Sequence, residues 1–215
     1  MTIDTLTVGD APEAWRAVGF DVDRDGRCQV GTVVVELDPD SRGISGWSLR
    51  PPEPKGSDPL GFDGLPTAFS DAPERSPAPP HPNGVRSIDH LVAFTPDRAR
   101  TAAALETAGL DLRRMRDEPT PAGGGFQAFF RLGEVILEVI EYAEGSPHAG
   151  DADAPARFWG LAFGVGSLDA AAALLGDRLS EPRDAVQPGR RIATLRRSAG
   201  VRVPMAFMTP GPGAA

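Results

Sequence analysis

The sequence predicts an α+β fold assembled from repeats of one βαβββ unit, and three observations carry that prediction. Residues 2 to 22, TIDTLTVGDAPEAWRAVGFDV, align with residues 87 to 112, SIDHLVAFTPDRARTAAALETAGLDL. Both read as an apolar run, a proline, a helical stretch, a glycine and a second apolar run. A third copy opens at Phe158, where FWGLAFGVGSLDAAAALLGDRLS repeats the strand and an Ala/Leu-rich helix. After each helix come short apolar runs divided by turn residues, the pattern of successive strands.

Taken in order, residues 1–50 form a degenerate module, with strands expected at Cys28 to Leu37 and Ile44 to Leu49. Residues 51–86 read as a Pro-rich linker, too long for an ordinary loop, on which Phe62, Leu65 and Phe69 could dock. Residues 87–142 form the clearest module. Thr95 before Pro96 predicts the helix start, and Gly109 its end. Strands follow at Leu112 to Met115, Phe126 to Leu132 and Glu134 to Glu141. Residues 157–210 form the last module, with Ser167 as N-cap and strands at Arg191 to Arg196 and Val201 to Met208. The second and third modules are expected to pair, with the first packed beside them; a pairing of the first with the second is the alternative.

Composition narrows the partners. The chain has 215 residues, 40% of them hydrophobic, enough for a core. Its 22 Lys and Arg against 30 Asp and Glu give a net charge of −8, which repels nucleic-acid phosphates and anionic lipid. The single cysteine, Cys28, forms no intrachain disulfide and reads as an inert thiol. With no secretory pattern at the start and no long apolar stretch, the expected location is the cytoplasm.

Chemistry is expected where ionisable residues interrupt apolar strands. His90 lies in Ile88-Asp89-His90-Leu91-Val92, and Glu138 in Val135-Ile136-Leu137-Glu138-Val139-Ile140. A buried carboxylate needs a cation, a donor or a metal, so Glu138 is the candidate catalytic residue. Gln127 and Arg131 share one face of their strand. Arginines cluster at 113, 114 and 116 and again from 190 to 197, and guanidinium groups suit carboxylate or phosphate. Gln127, Arg131, Gln187, Arg190 and Arg196 are therefore the candidate ligand-binding residues.

Repeated βαβββ modules, with His90 on a first strand and Glu138 on a last strand, resemble the vicinal oxygen chelate superfamily. Its glyoxalase-like members include glyoxalase I, bleomycin-resistance proteins, extradiol dioxygenases and methylmalonyl-CoA epimerase. The resemblance implies a curved, cup-shaped mixed sheet holding a small molecule, and a divalent metal (Zn, Fe, Ni or Mn) ligated by His90 and Glu138. It implies either a metal-dependent lyase or isomerase, or a metal-free binding protein of the resistance type. Aligned by strand, Thr5 and Gly160 stand where His90 stands, and Trp47 and Ala206 where Glu138 stands. The remaining ligands would come from His81 or His148, or from a second chain in a homodimer. Without a metal, His90 is a hydrogen-bonded residue of the cup and Glu138 pairs with Arg131.

Overall fold

The computed structural model describes residues 1–52, 61–118, 125–142 and 151–210. The chain forms two sheets whose apolar faces share one core. The larger sheet has eight strands: β6 (Val85–Thr95), β7 (Asp111–Arg116), β8 (Phe126–Leu132), β9 (Val135–Glu141), β10 (Arg157–Val165), β11 (Arg183–Asp184), β12 (Arg191–Thr194) and β13 (Met205–Met208). Their spatial order is β7-β8-β9-β6-β10-β13-β12-β11. Each half is a βαβββ module in which the first strand lies parallel to the last, β6 with β9 and β10 with β13. The halves join by antiparallel pairing of β6 with β10. The helices are α2 (Arg98–Thr107) and α3 (Leu168–Leu175). Ser167 caps α3, its hydroxyl accepting from Ala170 N at 3.2 Å. The start of α2 differs from the expectation at Thr95. Asp97 is the cap, accepting from Arg100 N at 2.9 Å, while the Thr95 hydroxyl accepts from Asp97 N at 3.1 Å.

The smaller sheet holds β1 (Thr2–Gly9), β2 (Arg27–Val30), β3 (Val33–Leu37), β4 (Gly43–Arg50) and β5 (Thr67–Phe69), with α1 (Pro12–Ala17) after β1. Its order, β2-β3-β1-β4-β5, matches β8-β9-β6-β10-β13 in both sequence of neighbours and direction. The match extends to single residues. In β1 and β3, Thr5 pairs with Val34 and Thr7 with Glu36; in β6 and β9, His90 pairs with Ile136 and Val92 with Glu138. Both copies shift register at the same two places, skipping Asp4 and Ser45 in one, Asp89 and Trp159 in the other. Leu65-Pro66-Thr67-Ala68-Phe69 answers Val203-Pro204-Met205-Ala206-Phe207. Pro66 O accepts from Trp47 N at 3.1 Å, as Pro204 O accepts from Leu161 N at 3.0 Å.

The first sheet is thus a truncated copy of the whole cup, and this corrects the reading of the N-terminal strands. β4 pairs antiparallel with β1, as a first strand of a second half does, so it is not the last strand of the first module. The counterpart of Glu138 is consequently Glu36, and Trp47 stands where Leu161 does. β5 lies in the Pro-rich stretch, where Phe62 and Leu65 are buried.

The shared core places Trp15 and Phe20 against Phe163, at 6.1 and 5.1 Å between ring centroids, and Trp47 against Phe158 at 5.0 Å. Each such burial contributes about 1.5–3 kcal/mol. Buried Asp10 fastens the copies together, accepting from Arg202 N at 2.7 Å, Val203 N at 3.2 Å and Trp15 Nε1 at 3.4 Å.

Candidate functional site

Pairing register sorts the side chains of the large sheet. Leu91, Ala93, Leu137 and Val139 point into the core, while His90, Glu138, Gln127, Arg114 and Arg116 share the opposite, concave face. That face holds a cavity of about 620 Å³. Its floor carries His90, Glu138, Gln127 and Asp89; its rim carries Arg114 and Arg116 from β7, and residues 183–188 with Arg190 from the β11–β12 hairpin.

Asp89 precedes His90 and in a regular strand would point the other way. Between Ile88↔Phe163 and His90↔Ala162 the partner strand advances one residue and β6 advances two, so Asp89 is the extra residue of a β-bulge. It therefore reaches the imidazole: Asp89 Oδ1 lies 2.9 Å from His90 Nδ1. Arg190, buried, grips the same carboxylate through Nη2 on Oδ2 and through Nη1 on Oδ1 at 3.3 Å. Its other donors go to Thr209 O at 2.8 Å and Gln187 Oε1 at 2.5 Å. On the far side of the ring, His90 Nε2 lies 3.5 Å from Glu138 Oε2. Gln127 Nε2 donates to Glu138 Oε1, while Gln127 Oε1 is buried without a partner among the described residues.

The two carboxyls titrate in opposite directions. Burial pushes Glu138 above the usual carboxylate range, against the pull of His90 and the Gln127 hydrogen bond, with Asp89 adding to the rise. Burial also acts on Asp89, but hydrogen bonds and charge from His90 and Arg190 outweigh it and hold Asp89 below the usual range. The floor thus sets two carboxyls, shifted in opposite directions, on either side of one imidazole.

Of the residues singled out from sequence, His90, Glu138, Gln127, Gln187 and Arg190 meet at this cavity. Arg131 and Arg196 do not. Arg131 is exposed at the end of β8, its Nε donating to Gly133 O at 3.0 Å, so it is no partner for Glu138. Arg196 is also exposed, and its Nε donates to Leu179 O at 3.3 Å. His81 belongs to the other copy, where its Nδ1 accepts from Asp21 N at 3.0 Å and its Nε2 lies 3.9 Å from Cys28 Sγ. Burial, helped by Asp21 and Asp23, pushes that thiol up to about 12. His148 lies outside the described residues. Asp89 and Arg183 were missed; an acid next to a histidine in an apolar strand was the available signal for Asp89.

His90 Nε2 and Glu138 Oε2 by themselves fall short of the about three protein ligands that a catalytic divalent metal takes. Among the described residues no three His, Cys, Asp or Glu are grouped so as to hold a metal ion. The facing strands offer Gly160, Ala162, Ala206 and Met208. Gly160 has no room for a ligand side chain: a Cβ there would sit 2.7 Å from Pro204 O.

Two βαβββ modules joined through their first strands into an eight-stranded cup define the vicinal oxygen chelate fold, and the C-terminal half of the chain has it. No protein-family model and no curated protein matches the sequence. Solved structures similar to it include methylmalonyl-CoA epimerase from Mycobacterium tuberculosis, at 21% identity and a TM-score of 0.49, covering 60% of this chain and 91% of that one. Hypothetical protein BH1468 from Bacillus halodurans C-125 is 20% identical, with a TM-score of 0.48 over 60% of this chain and 97% of that one. Streptomyces coelicolor methylmalonyl-CoA epimerase in complex with 2-nitronate-propionyl-CoA is 22% identical, with a TM-score of 0.48 over 59% and 96%. Among the described residues no helix is long and apolar enough to cross a membrane.

Proposed function

We propose that the C-terminal cup binds a small anionic molecule and moves a proton on it, as a lyase or isomerase, with His90 as base and Glu138 as acid. The observation that carries this reading is the pair of facing groups on the cavity floor, His90 Nε2 and Glu138 Oε2, 3.5 Å apart. Arg114, Arg116 and Arg183 on the rim attract an anion to an otherwise acidic chain. A carbon-bound proton next to a carbonyl passes to His90 Nε2, and the imidazolium formed is paired with Asp89. As negative charge develops on the carbonyl oxygen, Glu138 donates its proton there, leaving a neutral enol. Return of the imidazolium proton to carbon, with the enol proton going back to Glu138, gives an isomer; expulsion of a leaving group from the neighbouring carbon, which takes the imidazolium proton while Glu138 recovers the enol proton, gives a lyase product. No step passes through a metal.

The test is deuterium exchange. The protein is incubated in D₂O with EDTA and a panel of small carboxylates and 1,3-dicarbonyl acids, and carbon-bound protons are followed by NMR. Exchange by the wild type, lost in His90→Ala and Glu138→Gln and unchanged when zinc, nickel, manganese or ferrous iron replaces EDTA, supports the reading. Exchange that requires one of those metals overturns the metal-free chemistry.

A second reading is a metal-free binding or sequestration protein. The facing strands favour it, since Gly160, Ala162, Ala206 and Met208 bring no ionisable group to the cup. Panel compounds that raise the melting temperature without ever exchanging a proton would select this reading.

A further inference from the structure

We infer that Asp89 and Arg190 are positioning residues for His90: a bulge carboxylate, clamped by an arginine from the other module, holds the imidazole with its proton on Nδ1 and turns bare Nε2 to the cavity. The inference rests on the proposed acid–base role of His90, and names what makes Nε2 the base.

Donors and acceptors around the ring fix its tautomer. An ionised carboxylate only accepts, so the ring nitrogen facing it at 2.9 Å must donate. In a neutral imidazole the other nitrogen is then a lone pair. Arg190 only donates, and it occupies both Asp89 oxygens while Thr209 O and Gln187 Oε1 hold the rest of its fork. The carboxylate cannot turn away from the ring without leaving a buried guanidinium unpaired.

The truncated copy supplies an internal comparison. Asp4 occupies the same bulge and is gripped by Arg50 and Arg75, yet the next residue is Thr5. The aspartate–arginine clamp is therefore a folding device common to both copies, and only in the second copy does it face a ring that it can orient. A test must separate these two roles.

Asp89→Asn does so. Arg190 draws the asparagine carbonyl oxygen, which turns the amide NH₂ toward His90 Nδ1. That nitrogen must then accept, and the ring proton moves to Nε2. The chain has three histidines, so ring ¹⁵N spectra are simple, and His90→Ala assigns the His90 signals. At about pH 8.5, above the ordinary imidazole range, the wild type is expected to show protonated Nδ1 and bare Nε2 at His90. Asp89→Asn is expected to invert this, with His81 signals unchanged as the control for folding. By analogy with the same exchange in catalytic triads, deuterium exchange should fall by about 10³–10⁴-fold, with ligand-induced stabilisation retained.

Wild-type His90 protonated on Nε2 overturns the inference whether or not the variant folds. So does Asp89→Asn that leaves the proton on Nδ1. The tautomer is read without ligand, so the expected tautomer together with no exchange on any compound leaves the positioning intact and refutes the acid–base function instead.

Discussion

Replacing Glu138 with glutamine keeps the side chain's volume and an oxygen for the Gln127 donor, and removes its ionisable proton. Burial raises the Glu138 pKa, so the folded protein keeps a proton that the unfolded chain releases near pH 4.3. Below that pH both states are protonated and the group costs nothing extra. As pH rises toward the folded value, the wild type loses stability, because unfolding frees a carboxyl that ionises more readily in water. Glutamine has no such dependence. The stability difference, variant minus wild type, should therefore be near zero at pH 4, grow as pH rises and then level off. Every tenfold by which folding weakens this acid adds about 1.4 kcal/mol to the plateau, which for a chain of this length is about 3–6 °C in melting temperature. Circular-dichroism melts of both proteins from pH 4 to pH 9 measure the difference directly, since groups common to both cancel. A difference that is flat with pH would refute the reasoning. A variant less stable than wild type at pH 8 would do so more sharply, by showing Glu138 ionised and satisfied there.

Two further predictions concern the repeated architecture. Asp4→Ala leaves Arg50 buried without its carboxylate and should cost about 3–5 kcal/mol in urea denaturation; a loss below about 1 kcal/mol would show the cluster to be solvated like a surface pair. Gly160→Ala puts a Cβ 2.7 Å from Pro204 O, whereas Gly46→Ala meets Pro66 O at 3.2 Å, so the first should destabilise by about 1–3 kcal/mol and the second by less. The reverse order in parallel melts would mean that the two strand junctions are not built alike.

Strand alternation made much of the site legible. It put Glu138 with Ile136 and Ile140, and Gln127 with Phe129 and Arg131, and those faces stand in the structure. What it could not show was any place where alternation breaks. Asp89 reads as the residue behind His90, and only the bulge turns it to the same side. Arg131 fails for a different reason: it has the right face but lies at the strand end, beyond the cavity, where solvent and Gly133 O take its fork. The repeat itself was visible in the Ile-Asp-X-Leu openings of β1 and β6. Its extent was not, because among the described residues β4 is followed by neither the helix nor the outer strands that would have marked it as the start of a second half, and β5 is three residues among prolines.

That truncation also indicates where function in this chain comes from. The first copy keeps much of the floor: Asp4 on its bulge, Glu36 at the position of Glu138 and Thr5 in place of His90. Among the described residues it has no counterpart of β7, which carries Arg114 and Arg116, or of the β11–β12 hairpin, which carries Arg183 and Arg190. Glu36 consequently lies half exposed and pairs with Arg27 at 3.1 Å, the ordinary state of a surface carboxylate. The same strand position yields a buried carboxyl beside an imidazole in one copy and a half-exposed partner of Arg27 in the other. The difference lies in the walls, which exclude water over Glu138 and are missing over Glu36. A histidine placed at position 5 would therefore gain the clamp and the neighbouring carboxylate, but not the enclosed cavity on which the proposed chemistry depends.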